Sequence, residues 1–456
     1  MKLSKRSLTE GPILSGIITY TIPIILTGLL QLLFNAADLV VVGRYRGSIA
    51  VAAVSATGAI TNLIVNLFIG LSVGAGVGVA HGLGGKQDDE VHRTVHTAIP
   101  TAFIGGIILT IIGVVFSDDF LLMMKTPLDV LPYATKYMKI YFCGMTFMLL
   151  YNFAASILRA AGDTKTPLLF LSIAGVVNVL LNLFFVIKLE MHVEGVALAT
   201  IISQAISAIL VLIALMCRKD ACKLSIKKLR FYKPQLLKII RIGMPAGLQG
   251  SLFSISNVFI MSSFNSFNDS VLISGNGAAG NIEGFVYVIM NSLHQTAVNY
   301  IGQNVGAGKF DRVKKIYWIC MICVIVAGMT AGGLVIGFGE QLLNIYITDS
   351  QQAIQYGLTR FSIVCATYFL CGMMDVSTGS LRGLGSSFIP MLISVLGVCG
   401  LRILWIYTIF RIPQFHTPES LYWSYPVSWL VTVAAQMTAF MIVYRKKSKQ
   451  ALAEST

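Results

Sequence analysis

Long apolar stretches alternate with short polar or Pro/Gly-rich breaks along the whole chain. Twelve such runs begin near residues 13, 49, 91, 133, 166, 195, 235, 275, 313, 354, 387 and 421. A helix needs about 20 apolar residues to cross a hydrocarbon core of ~30 Å, so each run predicts one membrane-spanning helix. The runs are continuous rather than alternating with a period of two, which argues against a membrane barrel. The longest polar break, RKDACKLSIKKLRFYKP at 218–234, falls after the sixth run and separates two groups of six.

The two groups repeat one another. Pro23, Leu26, Gly28, Leu30 and Asn35 recur as Pro245, Leu248, Gly250, Leu252 and Asn257, a shift of 222. At a shift of 223, Gly85-Lys86 returns as Gly308-Lys309, and LRAAGDTKTP (158–167) returns as LRGLGSSFIP (381–390). Repeats of six helices enter the membrane in the same direction, related by an axis along the membrane normal. The expected fold is an all-α integral membrane protein, with twelve transmembrane helices as two six-helix bundles in pseudo-twofold symmetry. Its expected divisions are an N-lobe (1–217), a basic linker (218–234), a C-lobe (235–445) and a tail (446–456). Facing parallel repeats are an architecture of alternating-access transporters. Pro23 and Pro245, each inside the first helix of its lobe, are hinge candidates because a mid-helix proline removes a backbone hydrogen bond.

Composition agrees and adds an orientation. Of 456 residues 55% are hydrophobic and 12% charged, against about 25% charged in soluble domains. The net charge of +14 could point to nucleic acid, but 25 of the 34 Lys and Arg fall on segments that share one side when the N-terminus is cytoplasmic. Acids such as Asp118, Asp119, Asp129, Glu190 and Asp349 fall on the other side. Both termini and the linker are therefore predicted inside a multi-pass protein of the cell membrane, with no nucleic-acid partner. The N-terminus MKLSKRSLTEGP leads straight into the first run and reads as a retained span rather than a signal peptide. Eight cysteines imply no disulfide framework, and Cys320 and Cys323, mid-helix without a second pair, read as packing.

Several patterns resolve to packing. Gly70, Gly74, Gly78 and Gly82 line one helix face and permit close helix approach. GAGVG within that face lacks the preceding strand of a dinucleotide fingerprint. His92 and His96, beside Asp88, Asp89 and Glu90, open a helix and read as solvated rather than metal-binding. Polar groups inside spans are different, because an ionisable side chain in hydrocarbon is costly and marks a functional candidate by default. Asp38, Glu283 and Asp375 qualify, and Arg402 is the base expected to be buried, a possible fixed partner for either C-lobe acid. Asp38 has no base in its own lobe's spans. It must stay protonated or hold a cation such as Na⁺, which makes it the leading ion-coupling residue. Asn35, three residues earlier, can share its face. Asn178, Asn182 and Thr200 can complete an oxygen shell or a proton network with it, and Asn152 is a further polar candidate.

At these residues the sequence resembles the multidrug and toxic compound extrusion (MATE) family over its whole length. The resemblance rests on Pro23 with NAADLVVVG, LRAAGDTKTP, VVNVLLNLFFV followed by EGVALATIISQ, and GNIEGFVYVIMNSLHQTAVNYIGQNVGAGKFDRVKK. It implies a twelve-helix exporter of amphipathic or cationic compounds in exchange for H⁺ or Na⁺, with no other cofactor. Asp38 matches the first-helix Asp of the DinF-type branch, and Asn178 and Thr200 match two of its polar partners. Asn182 stands where relatives commonly carry a second Asp. The seventh span, IGMPAGLQGSLFSISNVF, lacks the Glu of the NorM-type branch, so the DinF type is favoured.

The reading is thus a secondary active multidrug efflux transporter working as a monomer in the bilayer, not an enzyme. HExxH, paired carboxylates at one depth and nucleophile motifs are missing, and GLGGKQDDEVHR does not fit the second loop of a major-facilitator protein. A lipid-linked precursor flippase of the same superfamily is the alternative, expected to need a more cationic cavity. A non-transport membrane protein is the reading from a different class, and it leaves three intramembrane acids unexplained.

Overall fold

The computed structural model describes residues 7–124, 126–348 and 350–455. Lys2, Lys5 and Arg6, part of the expected inner charge, and Asp349 lie outside the described residues. Among the described residues the regular structure is all helical. The first three spans are Ile13–Arg46, Ser48–Gly84 and Asp88–Met123. The fourth is bent by 46° at Gly144, between Leu131–Cys143 and Met145–Ala160. The fifth, Lys165–Leu183, continues through a π-helical turn at Phe184–Lys188, and the sixth is Val193–Met216.

Spans seven to nine are Lys233–Asn265, Ser270–Gly306 and Phe310–Gly337. The tenth joins Gln351–Val364 to Tyr368–Gly383 through one tight turn. The eleventh joins Phe388–Ser394 to Leu401–Tyr407 through a π-helical stretch, and the twelfth is Pro418–Ser455. Among the described residues ten of the twelve spans, counting the bent fourth as one, are long and apolar enough to cross a membrane. The seventh and eighth, 33 and 37 residues, are equally long but more polar. Residues 446–455, expected as a separate tail, continue the twelfth helix. Pro23 and Pro245 lie within unbroken helices.

The repeat is visible in the hydrogen bonds that stop the helices. Gly162 and Gly385, at a shift of 223, both take positive φ (85° and 80°). Around them Asp163 N bonds Leu158 O and Ser386 N bonds Leu381 O, the same left-handed helix ending in each half. The turn after the second span corrects the expected register. Gln87 N bonds Gly82 O and Lys309 N bonds Asn304 O, which aligns the turns at 222. Lys86, at φ 53°, therefore matches Gly308, at φ 68°, and the two Gly-Lys dipeptides are one residue out of step.

Two compact units emerge, and they do not divide at 217 and 235 as expected. Unit 1 holds Met1–Leu8 and Ile22–Ser251, and unit 2 holds Thr9–Thr21 and Leu252–Thr456. The physical reason lies in local packing on each side. Within unit 1 the start of the seventh span lies so close to the second that a Cβ on Gly70 would sit 2.2 Å from Gly247 N, and one on Gly74 2.3 Å from Ile239 O. Backbones approach this closely where glycine removes the side chain from at least one of the facing positions. Within unit 2 the start of the first span packs on the eighth through Tyr20 against Tyr300 (5.4 Å, edge to face) and Thr21 Oγ1 against Thr296 Oγ1 (2.8 Å).

Candidate functional site

In unit 1 the first, fifth and sixth spans bring Asp38, Asn182, Asn178 and Thr200 together. Asn182, fully buried one residue before the last α-helical residue of the fifth span, donates from Nδ2 to Asp38 Oδ1 (2.5 Å) and to Asn178 Oδ1 (3.2 Å). Its own Oδ1 is buried without a partner. Thr200 Oγ1 lies 3.4 Å from Asp38 Oδ2 and 2.9 Å from Val196 O. One hydroxyl proton cannot serve both acceptors, and the shorter contact claims it. Oδ2 is then best satisfied when it carries a proton of its own and donates to Thr200.

Nothing basic offsets the Asp38 charge, since none of the described residues forms an ion pair with it. Arg46, two turns further along the first helix, donates instead to Val186 O (2.5 Å), in the π-helical turn of the fifth span. Tyr137 and Tyr141 of the fourth span, stacked at 5.8 Å, lie within electrostatic reach of Asp38. The two tyrosines are not legible as site residues in the sequence, because aromatic residues inside an apolar run look like core.

Two candidates fall outside this network. Asn35 is exposed on the unit's surface rather than turned towards Asp38, and Asn152 donates to Met148 O within its own helix (2.8 Å). His92 and His96 stack at 3.9 Å. His96 donates from Nδ1 to His92 O (2.7 Å) and accepts at Nε2 from Ser225 N (3.0 Å), so the pair holds the linker against the third span. No cluster of three metal-ligating side chains occurs among the described residues. Cys320 is a buried and Cys323 a half-buried free thiol.

Unit 2 handles charge differently, and here the sequence reading needs correction. Neither acid pairs with Arg402. Glu283 receives both arms of Arg360, Nε to Oε1 (2.7 Å) and Nη2 to Oε2 (2.6 Å), while Arg360 Nη1 donates to Asn276 Oδ1 (2.6 Å). Arg360 and Arg382 are both buried, so Arg402 is not the sole intramembrane base. Asp375, further along the tenth span in Tyr368–Gly383, has its Oδ2 buried without a hydrogen-bond partner. Its backbone carbonyl accepts from His294 Nδ1 (2.7 Å), which fixes the neutral tautomer whose Nε2 accepts from Arg382 Nη1 (3.3 Å).

Arg402 is held by rings instead of an acid. Its guanidinium lies 4.1 Å from the Tyr425 centroid and 5.7 Å from that of Trp429, and Nε donates to Ser428 Oγ (3.1 Å). Cation–π stacking of a desolvated guanidinium contributes ~2 kcal/mol and a hydrogen bond from its charged Nε about 1.5 kcal/mol. Together these are comparable with the ~3 kcal/mol cost of a central arginine on the insertion scale. The charge is therefore tolerable without a resident carboxylate.

Comparison with known proteins places this arrangement. The family model MatE matches residues 23–184 and 245–408, one match in each repeat. The chain is 25% identical over 438 residues to the probable multidrug resistance protein YoeA of Bacillus subtilis (strain 168), covering 94% of this chain and 93% of that one. It is 29% identical over 398 residues to the probable multidrug resistance protein YpnP of the same organism, covering 86% and 88%. Among solved structures, an outward-facing multidrug resistance MATE family transporter of the MOP superfamily superposes with a TM-score of 0.88 at 18% identity, over 97% of both chains. A MATE structure in the bent conformation gives 0.89 at 17% identity over 98% of both. At such identities the structures speak for the fold, and the family model spanning both repeats speaks for descent. The chain belongs to the MatE family of multi-pass membrane transporters.

Proposed function

We propose that the protein is a secondary active multidrug efflux transporter of the DinF type. It exports amphipathic or cationic organic compounds by alternating access, in exchange for a cation that enters through unit 1. The observation that carries this reading is Asp38, a buried carboxylate bonded to Asn182 and Thr200 with no basic partner among the described residues. A group so placed changes its bound cation when its surroundings change, and the energy of a gradient can be drawn on at such a point. The names of the relatives, multidrug resistance and multidrug export proteins, support the substrate class.

A proton fits the site better than Na⁺. The Asn182 amide nitrogen occupies Oδ1, and Oδ2 faces a hydroxyl whose proton is engaged elsewhere. Asn182 in place of a second acid leaves one titratable carboxylate there, so one proton per cycle is expected. The test is transport of a fluorescent cationic dye in proteoliposomes with the pH and Na⁺ gradients imposed separately. The pH gradient alone should drive dye movement. Movement with the Na⁺ gradient alone assigns the ion to Na⁺, and movement with neither overturns secondary antiport.

A further inference from the structure

Arg360 and Arg402 share a neighbour and differ in everything else. The Tyr425 ring lies 5.7 Å from the Arg360 guanidinium and 4.1 Å from that of Arg402. Arg360 spends its nitrogens on Glu283 and Asn276, whereas Arg402 uses only Nε, on Ser428. Among the described residues nothing accepts from either Nη group of Arg402, and neither group is among the nitrogens sealed away from solvent. The ionisable side chains that act on Arg402 most strongly are the phenols of Tyr425 and Tyr368 and the thiols of Cys371 and Cys399, with no carboxylate among them.

The ring frame explains how the fork is kept in place. Tyr368 meets Trp429 edge-on at 5.4 Å, and Trp429 meets Tyr425 at 5.7 Å. A guanidinium laid on such a frame cannot rotate freely, and its two Nη groups present a planar pair of donors matched to two oxygens of one anion. We propose that Arg402, seated on Tyr425 and Trp429, is the anion-binding point of unit 2, and that it takes the carboxylate or phosphate oxyanion of an amphipathic molecule. The aromatic frame then receives the apolar body of the same ligand. This rests on the transport reading and extends its substrate class from cations to amphipathic anions and zwitterions.

The assay is equilibrium binding to the purified full chain in uncharged detergent, read by the fluorescence of dansylglycine and of its uncharged methyl ester. The acid should bind the wild type about tenfold or more tightly than the ester, as for a charge-assisted two-point contact. In Arg402→Gln that ratio should fall to about one, and Arg402→Lys, which keeps the charge but loses the fork, should be intermediate. Equal binding of acid and ester to the wild type overturns the proposal without recourse to any variant. An undiminished ratio in Arg402→Gln overturns it too. Phosphatidate added to the micelles separates two sources: competition with dansylglycine assigns the site to a lipid headgroup, and its absence assigns it to soluble amphipaths, each upholding the oxyanion site. Gradient-driven dye transport without acid preference would sink this inference alone, while acid preference without such transport would sink the transport reading alone.

Discussion

Asp38 in unit 1 and Glu283 in unit 2 are both buried carboxylates on membrane-spanning helices, 9% and 5% exposed. Glu283 is held by both arms of Arg360 in a geometry that leaves neither oxygen free. Asp38 is held by an amide and a shared hydroxyl, with phenols nearby and no base. Glu283 is a fixed structural charge, whereas on the proposed reading Asp38 is a loadable site. Permanent neutralisation by a counter-ion removes the reason to take up a cation, and its absence creates one. Arg402 extends the contrast on the cationic side, because it too lacks a counter-ion where its neighbour Arg360 has one.

The sharpest break in that comparison is a pair of conservative substitutions. Asp38→Asn keeps shape and hydrogen bonding but cannot exchange a cation, so gradient-driven transport in proteoliposomes should fall to the protein-free background while folding changes by no more than about 1 kcal/mol. Glu283→Gln should do the reverse. Removing one member of a buried pair strands the other, at a cost of ~3–5 kcal/mol. That should appear as early thermal unfolding in detergent, and Glu283→Gln combined with Arg360→Met should restore much of it. Transport surviving in Asp38→Asn, or a thermally unaffected Glu283→Gln, would erase the distinction between the two acids.

What the sequence made legible follows the same physics. Twelve spans could be counted because hydrocarbon enforces continuous apolar runs, and their predicted starts lie within a few residues of the helices. Asp38 stood out as an acid among Leu, Ala and Val. The partner of Glu283 did not, because Arg360 sits in QQAIQYGLTRFSIV, polar enough to resemble a helix end. Its meeting with Glu283, 77 residues away, depends on how two helices are rotated against each other. Tyr137 and Tyr141 were hidden by their apolar surroundings. The unit boundary was hidden because chain order cannot reveal that Gly243 and Gly247 lie against Gly70 and Leu71, or Leu67, with no room for a Cβ.

Finer tests lie inside the Asp38 network. Asn182→Leu removes the stronger donor to Asp38 and leaves Asn178 without its partner amide, at a cost of ~1–3 kcal/mol for a buried polar group left unpaired. Thermal unfolding should shift accordingly, and transport should weaken rather than vanish, because the carboxylate itself remains. Thr200→Val should matter least. It keeps the volume, removes a contact of 3.4 Å to Oδ2, and frees Val196 O from a side-chain bond that its helix does not require. Interhelical polar contacts of this kind are worth ~0.6 kcal/mol on average in membranes, so stability should barely move. The informative reading is the pH dependence of transport. If Thr200 accepts from protonated Asp38, its loss disfavours the loaded form, and a more acidic medium is needed to reach the same rate. An unchanged profile would mean that the hydroxyl only ties the sixth span to itself, and that Asn182 alone sets the state of Asp38.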